Sequence, residues 1–176
     1  MRGVRIHERS LVLRSLAILC GVFFSSVTNV FGTETGSTTQ SCNDTAMSFE
    51  DWQQWASITA EPVRSAGHSN NWVGIYVNGL AEETYRLASS PYQVCAKIIK
   101  PIYTDSSGTN IRKLTIMVKM PAGYDSENAD WWYGVYDASG TDMWDEGKLQ
   151  DCIICHKQAA ETDYLFSKEV LNAGKE

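Results

Sequence analysis

Between residues 92 and 120 the chain alternates twice. In YQVCAKIIKPIYTD (92–105), Val94, Ala96, Ile98, Lys100 and Ile102 share one face of an extended strand. Cys95, Lys97 and Ile99 share the other. In IRKLTIMVKM (111–120) the same period predicts Leu114, Ile116, Val118 and Met120 inward, with Lys113, Thr115, Met117 and Lys119 outward. DSSGTN between them is a turn cluster. NWVGIYVN (71–78) and WWYGVYD (131–137) are aromatic and β-branched, which predicts two further strands. PAGYDSENAD is a loop, and ASGT a turn. Elsewhere the spacing is helical. Phe49, Trp52 and Trp55 recur in SFEDWQQWASI, and Ser48 with Asp51 resembles a capping box, so a short helix is expected there. GLAEETYRLAS (79–89) is a second, and the chain reads helical from about Gln150 to Ala173-Gly174. The predicted class is α+β: a mainly antiparallel sheet, short flanking helices and a C-terminal helix.

The first 32 residues follow another rule. Arg2, Arg5, Arg9 and Arg14 precede the apolar run LAILCGVFF, which SSVTN interrupts. The pattern predicts a secretory signal peptide over 1–32 rather than a membrane anchor. Leu19 before Cys20 is too bulky for a lipoprotein signal. Residues 33–47 are polar and aperiodic and read as a flexible segment, leaving 48–176 as one domain.

Removing the leader changes the charge. It takes four of 15 basic and one of 21 acidic residues, leaving 11 and 20, a formal net of −9. Such a surface excludes nucleic acid and anionic membrane as partners. Four cysteines remain: Cys42, Cys95, Cys152 and Cys155. In an oxidising compartment, two disulfides are the plain expectation.

The sequence DCIICHK argues otherwise for two of them. Cys152, Cys155 and His156 form C-x-x-C-H, a c-type haem attachment site. One helical turn brings two thiols to one edge of a porphyrin and the next imidazole beneath its iron. Zinc would need two more ligands, and only His68, Cys42 and Cys95 remain, none at a paired spacing. A thioredoxin-like site lacks its βαβ setting. His156 is then the proximal ligand. The 20 residues that follow it hold no Met, so any sixth ligand comes from upstream: His68, Lys100, Met47, Met117, Met120 or Met143. An open distal site is the expectation, since each Met is explained as packing or surface and His68 lies in the loop signal AGHSNN. Lys100 shares a face with apolar residues, which is costly unless its amine is used or reaches water beside Pro101. Lys97 reads as solvated.

These segments resemble the cytochrome P-460 family, which is related to cytochrome c-prime-beta. CIICHKQAAETDYLFS (152–167) is similar to that family's C-x-x-C-H followed by a T-D-x-x-F element. VGIYVNGLAEETYR, AKIIKPIY, LTIMVKMPAGYD and ADWWYGVYD follow its strand segments in the same order. The resemblance implies an antiparallel β fold and one five-coordinate haem c, in a periplasmic, usually dimeric protein. Members called cytochrome P-460 oxidise hydroxylamine, and in them a strand lysine is cross-linked to the porphyrin. The matching position is Lys100, in KIIKP. Relatives of the c-prime-beta type bind gases such as nitric oxide instead. Two positions depart from the pattern. Cys95 stands where relatives tend to have glycine, which suggests a disulfide to Cys42. No acidic residue matches one beside the distal lysine; Thr115 and Met117 occupy that strand.

The expected function is therefore that of an exported mono-haem c cytochrome. It would bind or convert small nitrogen species at an open iron and exchange electrons with a redox partner protein. The alternatives are a hydroxylamine-oxidising enzyme with Lys100 bonded to haem and a simple six-coordinate electron carrier. Trp131-Trp132-Tyr133 could be an electron relay, but sheet packing explains it better.

Overall fold

The structure is a computed structural model, and it describes Cys42 and residues 48–173. The expected leader and flexible segment, and with them Met47, lie outside the described residues, Cys42 excepted. Among the described residues an eight-stranded antiparallel sheet carries the fold. Its strands are β1 (Ala56–Ser57), β2 (Val63–Ser65), β3 (Asn71–Val73), β4 (Tyr76–Val77), β5 (Lys97–Tyr103), β6 (Ile111–Lys119), β7 (Trp131–Tyr136) and β8 (Met143–Gly147). The order is β1-β4-β5-β6-β7-β8, with β3 also on β5 and β2 on β3. The helices are α1 (Gly79–Arg86), α2 (Gln150–His156) and α3 (Ser167–Ala173). The α+β class stands as expected.

The expected strand 71–78 is broken into β3 and β4, and Pro101 supplies the reason. Gly74 N donates to Pro101 O at 3.2 Å, so that side of Pro101 faces the break. Pro101 has no N–H to return, and the ladder lapses at Gly74-Ile75 before resuming at Tyr76 opposite Ile99.

The sheet is buried on both faces, which corrects two expectations from the alternation. Leu114, Ile116 and Val118 do point into a core, shared with Ile99, Trp52 and Trp132. The other face of β6, expected outside, is covered as well. Met117 packs there with Ile98, Trp131, Tyr133, Ile153 and Leu165, and Lys113 and Thr115 line a cavity. Lys97, expected in solvent, is buried: its amine donates to the Ser48 carbonyl and lies 5.5 Å from the Trp55 ring centre. Trp131, Trp132 and Tyr133 are all buried and divide between the two cores.

The helix expected at Ser48 is a single 3-10 turn, Trp52–Gln54, with no side-chain cap. Two events end it. The Ser48 carbonyl is taken by Lys97, and Ala56–Ser57 is drawn onto β4 as β1. The C-terminal helical run is likewise divided. After α2 the chain turns through a 3-10 stretch, Lys157–Thr162, and reverses at Asp163 and Tyr164, both at positive φ (53° and 68°). Strands β1, β2 and β8 had no counterpart among the expected elements.

Cys42 is joined to Cys95, 53 residues away, with a Cα–Cα distance of 5.6 Å. Cys95 sits at φ 66°, a left-handed conformation that glycine adopts without penalty.

Candidate haem site

A cavity of about 750 Å³ lies between the helical layer and one face of the sheet. That is within the range of about 300–1,000 Å³ typical of ligand pockets. Register builds its sheet wall row by row. Ile98, Met117 and Tyr133 lie side by side across β5, β6 and β7, and Lys100, Thr115 and Val135 form the next row. All six line the cavity.

The helix wall is α2. Cys152, Cys155 and His156 sit at i, i+3 and i+4, so one helical face carries all three. Both cysteines are free thiols, and burial pushes the Cys152 thiol up. Ile153, between them, turns into the core, while Ile154 is exposed.

His156 is held from three sides. Its ring lies 5.8 Å from that of Tyr133 and 5.5 Å from that of Phe166. Its Nδ1 is 2.7 Å from the Tyr164 carbonyl oxygen. A carbonyl can only accept, so Nδ1 carries the proton and Nε2 keeps its lone pair. Burial, then the Lys100 charge, lowers the His156 pKa to about 3, with the Tyr164 bond acting in the opposite sense. The imidazole is therefore neutral, the form that ligates a metal.

Lys100 projects from β5 and is 8% exposed. Burial pulls its pKa down to about 8, and charge on the two thiols counters this in part. It does not snorkel to bulk water, because the sheet face it occupies is roofed by helices. Directly opposite it stands Thr115, whose hydroxyl donates to the Lys100 carbonyl at 3.3 Å. The carboxylates among the lining residues, Asp151 and Glu169, are exposed.

His68 also lines the cavity. It ends the 3-10 turn Ala66–His68, which Asn71 ties down by donating to the His68 carbonyl at 2.8 Å. Burial, then the charges of Lys100 and Lys113, lowers its pKa to about 3. A Cβ placed on Gly67 would stand 3.2 Å from Cys155 Sγ, so this turn grazes the thiol. Of the other proposed sixth ligands, Met117 lines the cavity, Met120 packs against the opposite core and Met143 lies exposed on β8.

The donor set fits a haem with two thioether attachments. Two free thiols and a neutral imidazole with a free Nε2 share one wall of a largely apolar cavity, and the strands that line it bring Lys100, Lys113, Thr115 and the Tyr133 hydroxyl, with Arg64 and Ser65 on β2. No three His, Cys, Asp or Glu side chains gather as a metal site among the described residues. Sequence reasoning gave no role at the site to Gly67, Tyr133, Asp163 or Phe166. Phe166 and Asp163 stood in the T-D-x-x-F element, which was their only signal.

Fold and site together define a haem cytochrome built on a β-sheet. A model of the family described as Cytochrome P460 matches residues 49–167, and the chain belongs to that family. Comparison with curated proteins finds no match.

Proposed function

We propose that the protein is an exported mono-haem c cytochrome that binds or converts small nitrogen species such as nitric oxide or hydroxylamine. Cys152 and Cys155 form the thioether bonds and His156 is the proximal ligand. The single observation that carries this is the shared face of Cys152, Cys155 and a neutral, carbonyl-bound His156 against the cavity. A bound haem supplies an iron that takes a small ligand and exchanges electrons. His156 donates Nε2, and Tyr164 holds its ring. Ile98 and Met117 keep the sheet wall apolar. The leader-like residues 1–32 and the Cys42–Cys95 disulfide support export to an oxidising compartment, the periplasm. The family resemblance supports a homodimer and an external redox partner protein.

A second reading, oxidation of hydroxylamine with Lys100 bonded to the porphyrin, is favoured by Lys100 itself. Its depressed pKa leaves a substantial neutral fraction near pH 8, and a neutral amine is the nucleophilic form. Joining its nitrogen to a porphyrin carbon is an oxidation, so an oxidant such as hydrogen peroxide is needed. Without the bond, the same amine can accept a proton from a bound substrate.

Absorption spectra of the purified exported protein, with and without nitric oxide, test the readings together with its intact mass. A red spectrum that responds to nitric oxide supports the first. A green, red-shifted spectrum with an extra haem–peptide link supports the second. A red spectrum indifferent to nitric oxide identifies a six-coordinate carrier, and a mass without haem refutes all of them.

A further inference from the structure

Behind the proximal histidine lies an ion pair that the chemistry above does not use. Lys119 Nζ contacts both carboxylate oxygens of Asp163 at 2.7 Å and donates to the Ala129 carbonyl at 2.8 Å. It also lies 5.1 Å from the Trp131 ring centre. The Asp163 carboxylate accepts from Tyr92 N at 2.8 Å and from Trp131 Nε1 at 3.3 Å. Trp131 Nε1 donates to the Asp163 main-chain carbonyl as well, at 2.8 Å. Strands β6 and β7 and the loop at Tyr92 thus all converge on this one residue.

Its neighbour explains why that matters. Tyr164 supplies the carbonyl that receives His156 Nδ1–H. Asp163 and Tyr164 both sit at positive φ, a conformation that aspartate visits readily but that a bulky residue such as Tyr164 rarely adopts. Such a turn persists when its surroundings over-determine it. Buried ion pairs seldom add net stability over apolar packing, so stability alone is a weak reason for one here. Fixing the direction of a carbonyl is a better one.

We propose that the Lys119–Asp163 pair is a positioning element for the proximal ligand. By holding the Asp163-Tyr164 turn it aims the Tyr164 carbonyl at His156 Nδ1, and so sets the ring orientation and donor strength of Nε2. This rests on the reading of His156 as the iron ligand. A well-aimed Nδ1–H···O bond gives the imidazole anionic character, which strengthens the iron–nitrogen bond and favours the ferric state.

The test is the iron–histidine stretching band of the ferrous haem-loaded protein, measured with its reduction potential and unfolding midpoint. Asp163→Ala breaks the pair but leaves Lys119 buried alone. Lys119→Met/Asp163→Asn therefore serves beside it: it removes both charges and keeps an acceptor for Tyr92 N. The expected result in both variants is a band at lower wavenumber and a higher potential. Lys119→Arg, which keeps the pair, restores both values. A double variant that changes only the unfolding midpoint, with band and potential as in the wild type, overturns the proposal. A wild-type protein whose ferrous haem is five-coordinate and shows no iron–histidine band overturns instead the assignment of His156 on which it stands.

Discussion

Lys100 gives the sharpest quantitative expectation. Its amine titrates at about 8 in the folded protein against an ordinary 10.5, chiefly because burial penalises the charged form. The gap corresponds to about 3 kcal/mol. The sign follows from which state holds the proton. Between pH 8 and 10.5 the unfolded chain binds it and the folded chain does not, so stability rises with pH across that window. Below pH 8 the full cost is carried, and above 10.5 it is gone. Lys100→Met fills similar space and cannot titrate. At pH 7 the variant should therefore be about 3 kcal/mol more stable than the wild type, the gap closing to near zero by pH 10.5. Denaturant unfolding of both haem-loaded proteins at a series of pH values reads the difference directly, and titrations common to both cancel. Intact mass first establishes that the wild-type lysine is free, since an amine bonded to porphyrin has no such titration. A difference that stays flat from pH 7 to 10.5, in protein with a free lysine, refutes the burial reasoning.

Three further expectations follow from the same geometry. Cys95→Ala opens a 53-residue loop and should cost about 4 kcal/mol in denaturant unfolding, whereas Cys95→Gly should recover about 1 kcal/mol of that because φ is 66° there. Equal stability of the two variants would show that the left-handed backbone carries no penalty. His156→Gly should abolish the iron–histidine band and leave a site that added imidazole refills, which ligand titration followed by absorbance detects. Gly67→Val should lower the yield of covalently bound haem, read by mass spectrometry, because its first side-chain carbon already stands 3.2 Å from Cys155 Sγ.

The C-x-x-C-H triplet proposed to hold the haem was legible because its geometry is local. Cys152, Cys155 and His156 need only one helical turn to share a face, and the sequence spells that turn out. Strands β5, β6 and β7 were legible for a similar reason, since alternation survives wherever a strand is long. What alternation could not tell was which face is wet. It assumes that the polar side of a strand meets solvent. On β6 that side meets the cavity, so Lys113 and Thr115 were expected outside when they form part of its wall. Strands of two or three residues, such as β1 and β2, are too short to show a period. Strand β8 hides its Met143 and Trp144 among acidic neighbours at the sheet edge. The Ser48 helix failed because tertiary contacts outbid local propensity: its carbonyl and its aromatic side chains are claimed by Lys97 and the opposite core.

Lys100 shows how these levels combine. Its period-two position gave the face, and register on β6 gave Thr115 as its neighbour rather than a carboxylate. Pro101 follows it and breaks the ladder to β3 and β4, but the strand stays anchored through β6 on its other side. The amine is thus carried on the rigid centre of the sheet rather than on a loop, and it faces the cavity wall that holds Cys152, Cys155 and His156. A lysine that only needed to reach water would sit better almost anywhere else on this protein, because the helical layer over this face imposes the desolvation that lowers its pKa. The same layer keeps His156 and His68 neutral. The cavity therefore holds two imidazoles unable to act as acids near neutral pH and one amine poised to exchange its proton there. Lys100 is accordingly the buried group in this cavity with a proton to give or take near neutral pH, whether or not its nitrogen ever bonds to the porphyrin.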